Sequence, residues 1–158
     1  MTRMNESVRI RRMTGMDIDG VVELAAGLKL APQWPLDAYL VALNPVAQPS
    51  RVALVAEDPA TETVVGFAVA SLTIPEAELE TIAVEESVQR RGIARLLFAK
   101  MAEMLRLAGV TVSVLEVRAS NEPARAFYRA LGFKEAGRRP RYYANPVEDA
   151  VLMTLRFN

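Results

Sequence analysis

The stretch VEESVQRRGIARLLFAKM, residues 84–101, contains a change of period. Upstream of it, LETIAV alternates as a strand does. Downstream, Ile93, Leu96, Leu97, Met101, Met104 and Leu105 recur at three- and four-residue steps, as one face of a helix does. The join, QRRGIA (residues 89–94), opens that helix, so its first-turn N–H groups have no intrahelical acceptors. Gly92 and Ala94 keep the turn free of bulk, and Arg90, Arg91 and Arg95 bring positive charge to it. Such a helix start suits an anion, most naturally a phosphate.

Composition narrows what could carry that phosphate. The 158 residues, 51% hydrophobic and 24% charged, read as one globular domain spanning the chain, residues 1–158. The longest apolar stretches are too short to cross a bilayer, and MTRMNESVRIRRM has no apolar h-region. No membrane association is expected, and the absence of cysteine is compatible with a cytoplasmic location. With neither cysteine nor histidine, thiol catalysis is excluded and the commonest general base and transition-metal ligand are missing. No metal site is expected, and acid–base chemistry falls to Asp, Glu, Tyr, Lys, water or backbone.

Net charge is zero, so bulk attraction to nucleic acid is not expected. The charge is unevenly spread. From Val52 to Gln89 there are eight acidic residues and no Lys or Arg, while basic residues predominate from Arg90 onward. An acidic half beside a basic half fits a protein that handles a cationic and an anionic ligand together. It also fits ordinary solvated strand ends.

Outward from the opening stretch, the periodicity gives a strand at VRIRRM, a helix after Thr14 and a second short helix at LDAYLVAL. SRVALVAED and TVVGFAVASLTI form a hairpin, followed by a strand at AELETIAVEE. The helix after QRRG stops at Ala108-Gly109. VTVSVLEVRA is a strand, and Ser120 or Asn121 caps the helix EPARAFYRAL, with Pro123 in its first turn. FKEAGRRPRYY and EDAVLMTLRF are the last strands. The order β-α-α-β-β-β-α-β-α-β-β describes an α/β domain around one mixed sheet.

On its own chemistry, Glu116 is a candidate base. Val112, Val114 and Glu116 share a strand face, where partial desolvation would raise a carboxyl pKa. Glu80 is the rival, read as sharing a face with Ile82 and Val84. Tyr128 belongs to the apolar face Phe127, Tyr128, Leu131 and is either a core residue or a proton donor.

The element order together with QRRGIA and ASNEPARAFYRALGF resembles the GNAT superfamily of N-acetyltransferases, and implies the GNAT acyl-CoA N-acyltransferase fold. LETIAV, QRRGIAR, LEVRASN and RRPRYY narrow the resemblance to the RimI-type ribosomal-protein-alanine N-acetyltransferases. The resemblance is close in the C-terminal half and loose before it. It implies acetyl-CoA as co-substrate, its pyrophosphate on the amides around Arg90, Arg91, Gly92, Ile93, Ala94 and Arg95. Its pantetheine arm would lie along the backbone of Ile82, Ala83 and Val84 as an added strand, with Asn121 nearby. The resemblance further implies Glu116 as proton acceptor and Tyr128 as the acid at the thiolate. Trp34, Tyr142 and Tyr143, read as loop aromatics, would line the acceptor channel, with Glu80 beside it. The acceptor implied is a protein N-terminus, that of a basic small-subunit ribosomal protein. A GNAT enzyme acting on a small amine or a lysine side chain, and a non-catalytic acyl-CoA-binding module, are the competing readings.

Overall fold

The computed structural model describes residues 8–28 and 31–157. The elements are β1 (Arg9–Arg12), a 3-10 turn (Gly15–Asp17), α1 (Ile18–Ala26), α2 (Leu36–Leu43), β2 (Ser50–Asp58), β3 (Thr63–Thr73) and β4 (Glu76–Val84). A second 3-10 turn (Glu86–Val88) follows, then α3 (Ile93–Leu107), β5 (Val112–Arg118), α4 (Glu122–Ala130), β6 (Lys134–Tyr143) and β7 (Glu148–Arg156). The expected order holds, with small differences at the ends. The first turn after Thr14 is 3-10, closed by the Asp17 carboxylate accepting from the Thr14 N–H at 2.8 Å. The strand expected to run through Glu86 ends at Val84.

The strands form one seven-stranded sheet in the order β1-β2-β3-β4-β5-β7-β6. Every pairing is antiparallel except β4 with β5, whose parallel alignment requires the crossover that α3 supplies. That parallel pairing is short. It joins Glu76, Ala77 and Glu78 to Val112, Ser113 and Val114 and then stops, although β4 continues to Val84 and β5 to Arg118.

A β-bulge lies where the two strands part. Thr81 pairs with Val69 of β3 and Leu79 pairs with Ala70, so Glu80 is the extra residue. A bulge bends its strand and interrupts the alternation of side chains. Before it, Ala77 and Leu79 join the larger core; after it, Ile82 and Val84 do.

The two faces of the sheet are covered differently. On one face, α3 buries Ile93, Leu97, Phe98, Met101, Ala102 and Leu105 against the β2–β4 strands. Phe133, Val151, Met153 and Leu115 extend that core under α4. On the other face, α1 and α2 cover only the first strands, burying Val21, Ala25 and Tyr39 on Ala53, Val55, Phe67 and Val69. Gly66 of β3 lies where α3 presses closest. A Cβ there would stand 3.1 Å from both the Ala83 carbonyl oxygen and Leu97 Cδ1.

Leu97 is fully buried beneath this contact. Leu97→Ala should therefore lower the unfolding free energy by about 2–5 kcal/mol, as large-to-small core changes do. Urea denaturation followed by circular dichroism measures it.

Candidate functional site

The start of α3 is built as its residues suggest. Gly92 is the N-cap with φ 83°, a left-handed conformation that a β-branched side chain would strain. Arg90 is also left-handed, at φ 66°. The Gln89 side chain donates to the Val84 carbonyl at 2.9 Å, tying the loop to the end of β4. The first backbone bond of the helix runs from Leu96 N–H to the Gly92 carbonyl, so the amides of Ile93, Ala94 and Arg95 point outward without helical acceptors. Arg90, Arg91 and Arg95 are exposed. Among the described residues none of the three forms an ion pair, so this loop can receive a phosphate.

Ile82, Ala83 and Val84 pair with Ala68, Phe67 and Gly66 on one side only. On the side facing β5 their edge is open, since pairing ended at Glu78. An extended, amide-bearing arm fits there as an extra strand would. The residues present thus fit a pyrophosphate with a pantetheine-like tail.

Asn121 is the helix cap, its Oδ1 accepting from the Ala124 N–H at 3.2 Å. This leaves its side-chain amide N–H₂ for another partner.

Val112, Val114 and Glu116 do share a face, but it is the half-buried one, because Leu115 and Val117 carry the core contacts of β5. Glu116 pairs with Leu152 of β7 and stands mid-strand, its side chain 19% exposed. Arg139 of β6 approaches it, Nε to Oε2 at 3.4 Å. The angle is unsuitable for a hydrogen bond, and Oε2 remains a buried acceptor without a donor. The contact is electrostatic only.

Glu80 requires a correction. It does not share a face with Ile82 and Val84, because the bulge falls on Glu80 itself. Its carboxylate meets Arg51 of β2, Nε to Oε1 at 2.8 Å and Nη2 to Oε2 at 3.4 Å. Arg51 alternates with Val52 and so lies on the face of Ala53 and Val55, opposite the larger core. Glu80 and Glu116 therefore look out on the same side of the sheet, on opposite flanks of the gap.

Tyr128 comes from the other side. It packs edge-on against Phe133, ring centroids 5.8 Å apart, as part of the larger core. It is both a packing residue and a titratable one. Its ring keeps some exposed surface, yet burial pushes the phenol up to about 12, with the nearby Tyr143 phenol adding to the shift. Tyr143 is itself raised by burial first and by the Glu116 charge second. Tyr143 thus links the neighbourhoods of Glu116 and Tyr128 at the mouth of the gap.

Tyr142 and Tyr143 are not in a loop. They end β6, beyond an irregular register between Arg139 and Tyr143. Pro140 donates no ladder bond, yet the strand absorbs it by this shift. The two rings are perpendicular at 5.1 Å, with Arg118 over Tyr143 at 4.4 Å and Arg139 over Tyr142 at 5.6 Å. Trp34 stacks obliquely on buried Tyr39 at 5.2 Å and belongs to the smaller core beneath α1 and α2. Packing accounts for Trp34 without a ligand.

Three neighbours of the site were not singled out from the sequence: Glu78, Arg51 and Arg139. The alternation Glu76, Glu78, Glu80 was a visible signal for the first. The arginines come from distant strands that only the fold brings near.

The Acetyltransferase (GNAT) family profile matches residues 23–133. The [ribosomal protein bS18]-alanine N-acetyltransferase of Salmonella typhimurium is 43% identical over 98 residues, which are 61% of this chain and 66% of that protein. The chain thus aligns with just under two thirds of that relative's length. The N-alpha-acetyltransferase RimI of Mycobacterium tuberculosis is 37% identical over 158 residues, 97% of this chain and 95% of that one. Among solved structures, the ribosomal-protein-S18-alanine N-acetyltransferase of Escherichia coli superposes with a TM-score of 0.80 at 28% identity, covering 94% of this chain and 93% of that one. The chain belongs to the GNAT acetyltransferase family.

If the Tyr128 hydroxyl serves chemistry, Tyr128→Phe should keep the Phe133 contact and the melting temperature while slowing acetyl transfer by about 10²–10⁴. Paired thermal melts and turnover assays on the one variant measure both.

Proposed function

We propose that this protein transfers the acetyl group of acetyl-CoA to the N-terminal α-amine of a protein, by direct attack with no covalent enzyme intermediate. The observation that carries this reading is the gap between β4 and β5. Its floor is the last paired rung, Glu78 with Val114, and it opens toward the α3 loop. Glu116 looks out on one face of the sheet, and Tyr128 packs against Phe133 on the other. A thioester lying in the gap would meet an amine from the Glu116 side and a proton donor from the Tyr128 side.

The roles follow from ionisation. A peptide α-amine has a pKa of about 7.7–8.0 and arrives mostly as ammonium near neutral pH. Glu116, whose side chain is 19% exposed, takes one proton from it. The N–C bond forms as the C–S bond breaks. The Tyr128 phenol, raised to about 12, stays protonated at any physiological pH and donates to the sulfur as charge develops there. A thiol is the stronger acid, so the phenol acts chiefly as a hydrogen-bond donor to the thiolate. The second proton of the amine nitrogen, made acidic as the N–C bond forms, passes to the departing sulfur, so CoA leaves as the thiol. The proton held by Glu116 then goes to water, and one proton is released per turnover.

Our reading takes N-terminal alanine of a small-subunit ribosomal protein as the acceptor, with a cytoplasmic setting. It draws on the names of the Salmonella typhimurium and Escherichia coli relatives and on the acidic run Glu76, Glu78, Glu80, which suits a basic peptide. Acetyl-CoA is incubated with peptides that start in alanine, with other N-termini and with small amines, and products are read by mass spectrometry. Alanine-initiated basic peptides should lead. Preference for a free small amine over every peptide would replace the acceptor assignment while leaving the transfer chemistry.

Within the same assay, Glu116→Gln should lower turnover by about 10²–10⁴ with acetyl-CoA affinity nearly intact. Glu80→Gln should cost much less in turnover, since its carboxylate is already held by Arg51. The reverse order would make Glu80 the base.

A further inference from the structure

Five charged side chains share one face of the sheet at the foot of the gap, contributed by four strands. The backbone register runs from Arg51 across Ser71 to Glu78 and on to Val114, two residues short of Glu116. Glu80 lies two residues further along β4, and Arg139 reaches in from β6. Three carboxylates therefore face two guanidinium groups. Arg51 holds Glu80 with two contacts and is 17% exposed, and Arg139 stands 3.4 Å from Glu116. Among the described residues no cation pairs with Glu78. The cluster is one positive charge short.

The deficit has a physical signature. Burial raises the Glu78 carboxyl pKa, the charges of Glu80 and Glu116 raise it further, and Arg139 and Arg51 oppose them only in part. Folding thus places a carboxylate where its ionised form is disfavoured, an arrangement that costs stability unless a cation arrives. Among the described residues no three carboxylates or other ligating groups converge closely enough to hold a metal ion. A single ammonium needs no such convergence.

We propose that Glu78 is a specificity-determining residue, whose unpaired carboxylate attracts the substrate's α-ammonium and holds it beside Glu116 for deprotonation. This rests on the acetyltransfer reading above and names the group that selects the acceptor's charge. The ammonium supplies the missing cation, and the cluster becomes neutral when substrate is bound. Once Glu116 has taken the proton and the amide has formed, the product carries no charge at that nitrogen. Glu78 then loses its partner, which favours release.

Glu78→Gln separates this role from a structural one. With an alanine-initiated peptide and saturating acetyl-CoA, KM for the peptide should rise about tenfold or more while kcat changes far less. The wild-type KM should increase with ionic strength, and that of the variant should be nearly flat. The same substitution should raise the melting temperature near neutral pH, because it removes a disfavoured charge. Above the folded pKa of Glu78 that gain is fully present. It fades as pH falls through that folded pKa and is gone below the ordinary carboxylate value, where the wild-type side chain is protonated in folded and unfolded chains alike. Glu78→Asp keeps the charge and should retain most of the wild-type KM. An unchanged KM in Glu78→Gln, or a fall in kcat and melting temperature that Asp does not repair, overturns the proposal. If the wild type acetylates no peptide, the peptide-acceptor reading fails and takes this inference with it. If it acetylates peptides with a KM indifferent to Glu78, only this inference fails.

Discussion

Beyond Glu78 and Val114 the backbones of β4 and β5 have no partners in each other. Strands buried in the middle of a sheet do not normally leave polar groups unpaired, because each lost hydrogen bond is costly away from water. The bulge at Glu80 bends β4 at the place where pairing ends, and the Arg51–Glu80 ion pair fixes the bulged residue on β2. What results is a slot with hydrogen-bonding capacity along its β4 wall. Its mouth meets the α3 loop, where unpaired amides and three exposed arginines wait. One extended ligand with a phosphate at one end satisfies both features.

The slot also joins the two faces of the sheet. α3 and α4 fill one face, so Tyr128 is held by the Phe133 contact in an apolar setting and keeps its proton. The other face is covered by α1 and α2 only over its first strands, leaving Glu78, Glu80 and Glu116 of β4 and β5 half-buried on that side. A phenol secured in the core and a carboxylate on the opposite, carboxylate-rich face are the consequence of one sheet with unequal covers. Charge is divided along the slot, with cationic groups at the α3 loop and excess carboxylate at Glu78, Glu80 and Glu116.

Much of this was legible in the chain. Period changes located the strands and helices, and Gly92, Gly109 and Gly132 stand at left-handed positions flanking helices. The QRRGIA loop, Asn121 as a cap and Glu116 on a strand face were readable because each depends on neighbours within a few residues. The bulge was not readable, since ELETIA contains no glycine or other local mark, and so the face of Glu80 was misjudged. The tyrosines at 142 and 143 were read as loop aromatics although FKEAGRRPRYY also read as a strand; the strand reading holds, and they end β6 beyond its irregular register. Trp34 gave no sign of its partner Tyr39, which only the packing of α2 supplies. Arg51, Arg139 and the charge balance around Glu78 depend on the sheet order β2-β3-β4-β5-β7-β6, a long-range property that no local pattern encodes.

The central claim is that the open β4 edge and the α3 amides bind the two parts of one acetyl-CoA molecule. Amide hydrogen exchange with and without acetyl-CoA tests it most directly. Exchange should slow at Ile82–Val84 and at Ile93–Arg95 together, in proportion to occupancy, with α1 and α2 amides unchanged. Protection confined to the α3 loop, or appearing elsewhere while β4 stays unaltered, would contradict the account.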